Sequence, residues 1–182
     1  MSRIGKMPIT IPQGVTVEIR KDEVAVKGPK GALKCSVDPN MMITLKDGTI
    51  TVERPTDGRE HRSMHGLTRT LVANMVEGVT NGYTKVLEIV GVGYRAEKSG
   101  EKLQLRIGFS HLVEVEPIEG TSLDVERNTR ILVTGIDKER VGEMAARIKA
   151  IRPPDVYKGK GIRYAGEVVR LKAGKAGKAV GR

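Results

Sequence analysis

Aromatic side chains are nearly missing from this chain of 182 residues, which has no Trp, one Phe and four Tyr. Any core must therefore be built from Val, Ile, Leu and Met, and a reader that stacks successive bases on rings is disfavoured. Cysteine is scarcer still. Cys35 stands alone, so no internal disulfide can form, and without a CxxC pair or a Cys/His cluster structural zinc has no basis. Long apolar runs are absent as well. The longest uninterrupted apolar-or-glycine run near the middle, Ile89 to Tyr94, falls far short of the roughly 20 residues that cross a bilayer. The opening MSRIGKMPITIPQG contains no apolar stretch of the secretion-signal kind. These absences lead us to expect a soluble cytoplasmic chain with no membrane partner.

Catalytic groupings are missing too. His61 and His65 stand four apart on a helical stretch, but Arg62-Ser63-Met64 lies between them. The glutamate of a zinc-protease pair is lacking and the adjacent arginine opposes a cation, so a basic, exposed helix face is the expectation, with no metal site. Gly91-Val92-Gly93 opens like a dinucleotide fingerprint, yet Tyr94-Arg95-Ala96 follows without the third glycine or a helix. A tight turn accounts for it. Gly174-Lys175 and Gly177-Lys178 lack the spacing of a phosphate loop. No Ser or Cys has an arguable base partner, and Cys35 reads as a small residue in an alternating strand. An enzyme is not expected.

What is abundant is positive charge. With 32 Lys and Arg against 22 Asp and Glu, the net charge is +10 and the pI about 9.8. Such a balance calls for an acidic partner, nucleic acid or an anionic membrane face. The excess is unevenly placed. Residues 1–82 carry 12 basic and 9 acidic residues, 83–150 carry 11 of each, and 151–182 carry 9 basic and 2 acidic. The helical stretches are not the basic part, which argues against a membrane-surface module. Pro153, Pro154, Tyr157, Ile162, Tyr164, Val168 and Val169 interrupt the basic tail and are expected to anchor it on a folded body. Ala173 to Arg182 has no such anchors and is expected to be disordered in the free protein.

Hydrophobic periodicity reads as strands followed by a helix, twice. Val15, Val17 and Ile19 alternate, then Val24 and Val26, then Leu33, Cys35 and Val37 after the Gly28-Pro29-Lys30-Gly31 turn. Ile43 and Leu45 lead through Asp47-Gly48 to Ile50 and Val52, a further hairpin. From about Asp57 to Gly78, Met64, Leu67, Leu71, Val72 and Met75 recur at helical spacing. In the second half Val86, Ile89 and Val90, then Leu103, Leu105 and Ile107, then Leu112, Val113 and Val115, supply strands. Leu123 and Val125, then Ile131, Leu132 and Val133, follow. Asp137 suits a helix N-cap, and Val141, Met144, Ala145, Ile148 and Ile151 form a second apolar face.

The halves superpose as patterns. A shift of 79 takes Val24, Val26 and Leu33 to Leu103, Leu105 and Leu112; a shift of 81 takes Ile50 and Val52 to Ile131 and Val133. A shift of 77 takes Met64, Leu67 and Leu71 to Val141, Met144 and Ile148. The predicted fold is α+β: two similar repeats, 1–82 and 83–182, each a small, mostly antiparallel sheet packed with one main helix, plus a basic C-terminal tail.

The most specific text is Pro154-Asp155-Val156-Tyr157-Lys158-Gly159-Lys160-Gly161-Ile162. Tyr157 offers a face for a sugar or base, Lys158 and Lys160 offer phosphate partners with Arg163 following, and the glycines permit close backbone approach. This stretch resembles the signature of the bacterial large-subunit ribosomal protein six family. The opening Ser2-Arg3-Ile4-Gly5-Lys6-Met7-Pro8-Ile9, the Val26 to Gly31 turn and Gly91-Val92-Gly93-Tyr94-Arg95-Ala96 are similar to that family too, so the resemblance spans nearly the whole chain. It implies two duplicated α+β repeats that bind 23S rRNA mainly through the second repeat and its tail. It also implies a place near the factor-binding region and the stalk base, beside neighbouring large-subunit proteins. On it, Tyr157, Lys158, Gly159, Lys160, Gly161 and Arg163 become rRNA contacts. Tyr94 and Arg95 join them from the matching turn, and Lys172, Lys175 and Lys178 by charge alone. No cofactor, small-molecule substrate or self-oligomer is implied.

Overall fold

The computed structural model describes residues 4–46 and 48–174. Two compact units emerge, one from the residues up to Tyr83 together with Ile136–Lys138, the other from Thr84–Gly135 and the residues from Glu139 onward.

The first unit runs β1 (Ile9–Thr10), β2 (Thr16–Ile19), β3 (Glu23–Gly28), β4 (Gly31–Ser36), β5 (Met42–Lys46), β6 (Thr49–Glu53) and α1 (Arg59–Thr80). Strands β2, β3 and β4 form an antiparallel meander, and a second small sheet has the order β1-β6-β5. Alternation sends Val24, Val26 and Ile50 inward, where they meet Val72, Met75, Val76 and Val79 of the helix. Gly28 shows how close that packing is: a Cβ there would lie 2.7 Å from Val79 Cγ2.

The second unit repeats the plan. Its elements are β7 (Tyr83–Val90), β8 (Arg95–Ser99), β9 (Lys102–Arg106), β10 (Val113–Val115), β11 (Thr121–Glu126), β12 (Arg130–Gly135), α2 (Lys138–Ile151) and β13 (Gly161–Tyr164). A lone strand, a three-stranded meander, a hairpin and a helix thus recur in the same order. The meander is β8-β9-β10 and the second sheet reads β11-β12-β7-β13. Leu87, Leu103, Leu105, Ile131, Met144, Ile148 and Ile162 are fully buried in this unit. The fold is α+β with two repeats, as the periodicity predicts.

Several details differ from the sequence reading. The buried face of α1 is His65, Thr68, Val72, Met75, Val76 and Val79, while Leu67 is 50% exposed. The two helices therefore correspond by a shift of 76, not 77: His65, Thr68 and Val72 stand where α2 has Val141, Met144 and Ile148. Two inward positions are polar, so the apolar count settled one residue away and rotated the face.

His65 is accordingly no part of an exposed basic face. It is 3% exposed; its Nε2–H donates to the Val52 carbonyl at 2.8 Å, and Nδ1 accepts from Arg54 Nη1 at 2.8 Å. Arg54 also donates from Nε to Asp57 Oδ1 at 2.9 Å, and it holds the Asp57 carboxyl below its ordinary range. Leu112 precedes β10 and is largely exposed rather than a strand residue.

In the tail, Ile162 is buried and Tyr164 half-buried, but Val168 is 88% and Tyr157 58% exposed, so neither of the latter is an anchor. Asp47, Lys175, Lys178 and the rest of 175–182 lie outside the described residues. Among the described residues no helix is long and apolar enough to cross a membrane.

Candidate nucleic-acid interface

Helix α2 ends at Ile151 because Pro153 and Pro154 have no N–H with which to continue it. The chain then folds into a tight loop organised by Asp155. Its Oδ2 accepts from the N–H groups of Lys158 at 3.0 Å and Tyr157 at 3.3 Å. Its own N–H donates to the Lys160 carbonyl at 2.8 Å, and its carbonyl accepts from the Gly159 N–H at 2.9 Å. An aspartate at the head of this turn thus fixes the loop from within. Gly159 takes φ +68, a left-handed value that L side chains rarely adopt.

Gly161 has a different task from the one its sequence position suggests. It is buried at φ +141, and a Cβ there would lie 2.5 Å from the Pro153 carbonyl oxygen and 2.8 Å from that of Arg152. The close approach it permits is to its own chain, where the Ile162 N–H donates to the Arg152 carbonyl at 2.8 Å. Nor does the loop reach Arg163. That residue sits in β13, opposite Glu88 of β7, and its Nη2 pairs with Glu88 Oε2 at 3.3 Å. Arg163 is half-buried, and its Nε has no hydrogen-bond partner among the described residues. Lys158 is exposed and Lys160 half-buried.

The β7–β8 turn joins this loop in space. Gly91 and Gly108 flank the Tyr94 ring so closely that Cβ atoms on them would lie 2.6 and 2.8 Å from Tyr94 atoms. Tyr94 shares an open cleft of about 490 Å3 with Arg152, Pro153, Pro154, Val156 and Lys160, and Asp155 also lines it. The Arg152 guanidinium stands over the Phe109 ring at 5.3 Å, and Phe109 stacks on His111 at 5.8 Å with an interplanar angle of 15°. Arg152, Phe109 and His111 escape sequence reasoning, since none lies in a recognisable motif. Only the charge of Arg152 beside the loop pointed towards it. Arg95 is exposed and pairs with Glu97 at 3.3 Å, on the strand that follows the turn.

The electrostatics are one-sided. The two acidic residues of 151–182 are Asp155 and Glu167, and both are engaged within the unit. Glu167 meets Lys149 Nζ at 2.6 Å and accepts from the Tyr164 N–H at 3.0 Å, and these bonds hold its carboxyl below the usual glutamate range. Lys149 Nζ also lies 4.6 Å from the centroid of the Tyr164 ring. Lys158, Lys160, Arg170 and Lys172 form no ion pair with a described acidic residue. Lys172 is exposed, and its N–H donates to the Val156 carbonyl at 2.7 Å, which lays this part of the tail along the loop. The result is a face of unpaired cations around a cleft with an aromatic wall.

Comparison with known proteins identifies the family. The family described as Ribosomal protein L6 matches twice, over residues 11–82 and 90–165. A relative from Halalkalibacterium halodurans named "Large ribosomal subunit protein uL6" is 56% identical over 178 residues, covering 98% of this chain and 100% of that protein. Proteins of the same name from Caldicellulosiruptor saccharolyticus and Thermus thermophilus are 57% and 56% identical, and each comparison covers at least 97% of this chain and 98% of the relative. Two matched segments, one within each strand-and-helix repeat, and near full-length identity above one half, place this chain in the ribosomal protein L6 family.

Proposed function

We propose that this protein is a structural constituent of the large ribosomal subunit and that it binds 23S rRNA through the loop and turn of its second repeat. As a member of a family of structural ribosomal proteins it is not an enzyme. Its place of work is then the ribosome in the cytoplasm, near the factor-binding region and stalk base, beside other large-subunit proteins. The observation that carries the reading is the set of unpaired cations, Lys158, Lys160 and Lys172, disposed around a loop whose own exposed acidic residue is bonded to two of the loop's N–H groups. Cations without internal partners are free to neutralise phosphates and release counterions. The 83–182 repeat should supply most of the affinity. The first repeat carries a much smaller charge excess.

Binding to 23S rRNA across a salt series tests this. Replacing Lys158 and Lys160 together by Gln should weaken binding and lower the log–log salt slope by up to roughly 2 units. The melting transition should barely move, because exposed charges contribute about 0–1 kcal/mol to folding. A matched change of Arg20 and Lys21 in the first repeat should leave binding nearly intact. Equal losses from both pairs would mean that net charge alone acts and that the loop is not a site.

A further inference from the structure

We propose that the cleft between the Tyr94 turn and the Pro153–Lys160 loop receives a single unstacked RNA nucleotide. This rests on the RNA-binding reading above and adds the form of RNA that the site accepts. Three features of the cleft point the same way. Its volume of about 490 Å3 falls in the range of roughly 300–1,000 Å3 in which small organic ligands are held. Its lining includes Tyr94, Pro153, Pro154 and Val156, the apolar and aromatic residues that a base and sugar call for and a bare phosphate track does not. Its cations, Arg152 and Lys160, also line it, so that a phosphate attached to an inserted nucleoside has partners beside the apolar walls.

The distribution of rings strengthens the case. The chain has only five Phe and Tyr residues, and three of them, Tyr94, Phe109 and Tyr157, belong to this turn, the segment next to it and this loop. Scarcity of aromatics argues against stacking a run of bases, but one base needs one ring. The Tyr94 ring packs against Gly91 and Gly108, in space that a side chain on either would fill. Arg152 is likewise held over Phe109, itself stacked on His111, which limits the conformational freedom that guanidinium would lose on meeting a nucleotide. The single acidic side chain of the cleft, Asp155, accepts two backbone N–H groups. A continuous duplex hides its base faces inside the stack and offers only sugar and phosphate to such walls. An extruded nucleotide offers a ring face, a sugar and a phosphate together.

The test uses the full-length protein and two RNA hairpins of one sequence, the first carrying a single bulged 2-aminopurine and the second fully paired. The bulged hairpin should bind more tightly, roughly fivefold to a hundredfold, with quenched fluorescence as the base stacks. Tyr94→Leu should abolish that preference and the quenching; Tyr94→Phe should retain both. Arg152→Gln, which leaves the Tyr94 setting intact, should also reduce the preference and guards against a Tyr94 variant that folds poorly. Equal binding of the two hairpins, or a preference that survives Tyr94→Leu, overturns the proposal. If in that case the Lys158 and Lys160 double change still weakens both hairpins, the RNA-binding reading stands without the cleft. If the lysine changes have no effect either, both fail.

Discussion

Removing the Asp155 carboxylate separates two accounts of the loop by the sign of the effect. If the loop matters only as positive charge, Asp155→Ala deletes an anion from a basic face and RNA binding should tighten. If the loop matters as a held shape, the same change should weaken binding. The structure sets the size. The Lys158 N–H bond at 3.0 Å is a normal one, and the Tyr157 N–H bond at 3.3 Å is long and weak. Asp155 is exposed, so the two together are worth about 1 kcal/mol rather than the larger value of a buried charged bond. Alanine keeps the main-chain bonds from Asp155 to Lys160, from Gly159 to Asp155 and from Lys172 to Val156, so the loop loosens without collapsing. Ordering it again on RNA would then cost up to about fivefold in Kd. The opposing gain is small. One charge several ångströms from a phosphate in water contributes only tenths of a kcal/mol once salt screens it.

The assay is Kd for 23S rRNA at physiological salt for wild type, Asp155→Asn and Asp155→Ala. Asparagine keeps an acceptor oxygen and drops the charge, so it should bind as well as wild type or slightly better. Alanine should bind about twofold to fivefold more weakly than asparagine. Alanine binding as tightly as asparagine, or more tightly, would show that the Asp155 bonds to the loop backbone do nothing for recognition, and the reasoning would be refuted.

Two further outcomes follow from the same region. Gly161→Ala should destabilise the fold by about 1–3 kcal/mol, read as a lower urea midpoint, because a Cβ would meet backbone carbonyls at 2.5 and 2.8 Å on a left-handed residue. Glu167 is held below its ordinary value of 4.5 by Lys149 and the Tyr164 N–H, so the stabilisation it provides is complete above that pH and is lost as pH falls through the depressed folded value. Glu167→Gln should therefore be less stable than wild type at neutral pH and show a shallower acid loss below about pH 4.5, measured as urea midpoints at successive pH values.

Strand alternation made most of the architecture legible, because each sheet has one wet and one buried face. Val24 and Val26, Leu103 and Leu105, and Ile131 and Val133 all point inward as the period-2 pattern requires. The α1 face was legible only to within one residue, since His65 and Thr68 satisfy their polar atoms inside the unit or tolerate burial, and hydropathy does not register them. At the candidate site, the motif around Tyr157 was visible as text, and its exposed lysines lie where a loop would put them. The parts that were hidden depend on tertiary register. Whether Arg163 is a loop cation or a strand residue paired with Glu88 is decided by β13, four residues long and too short to announce itself. Phe109 and His111 lie on a different segment from the loop, and nothing local in the sequence links them to Arg152.

Why the candidate site belongs to the second repeat can be argued from one strand edge. The first strand of the first repeat, β1, is two residues long and pairs with β6. Its counterpart β7 is eight residues long, with β12 on one side, and an uncovered edge of that length would leave a row of backbone groups unpaired. Strand β13 covers it, antiparallel, with Gly161 opposite Val90 and Tyr164 opposite Leu87. To arrive there the chain must leave α2 at Ile151 and reverse, and the reversal is the Pro153–Lys160 loop. The register does the rest. Because Gly161 faces Val90, the residue before it, Lys160, comes beside Gly91, where the Tyr94 turn begins. A shift of β13 by two residues would keep every side chain on its own face of the sheet and still draw the loop away from Tyr94. Gly161 opposes the shift that would put Arg163 in its place, since a Cβ there would meet the Arg152 and Pro153 carbonyls. The glycine that reads in the sequence as a place for RNA to come close is thus the residue that helps bring the two halves of the candidate site together.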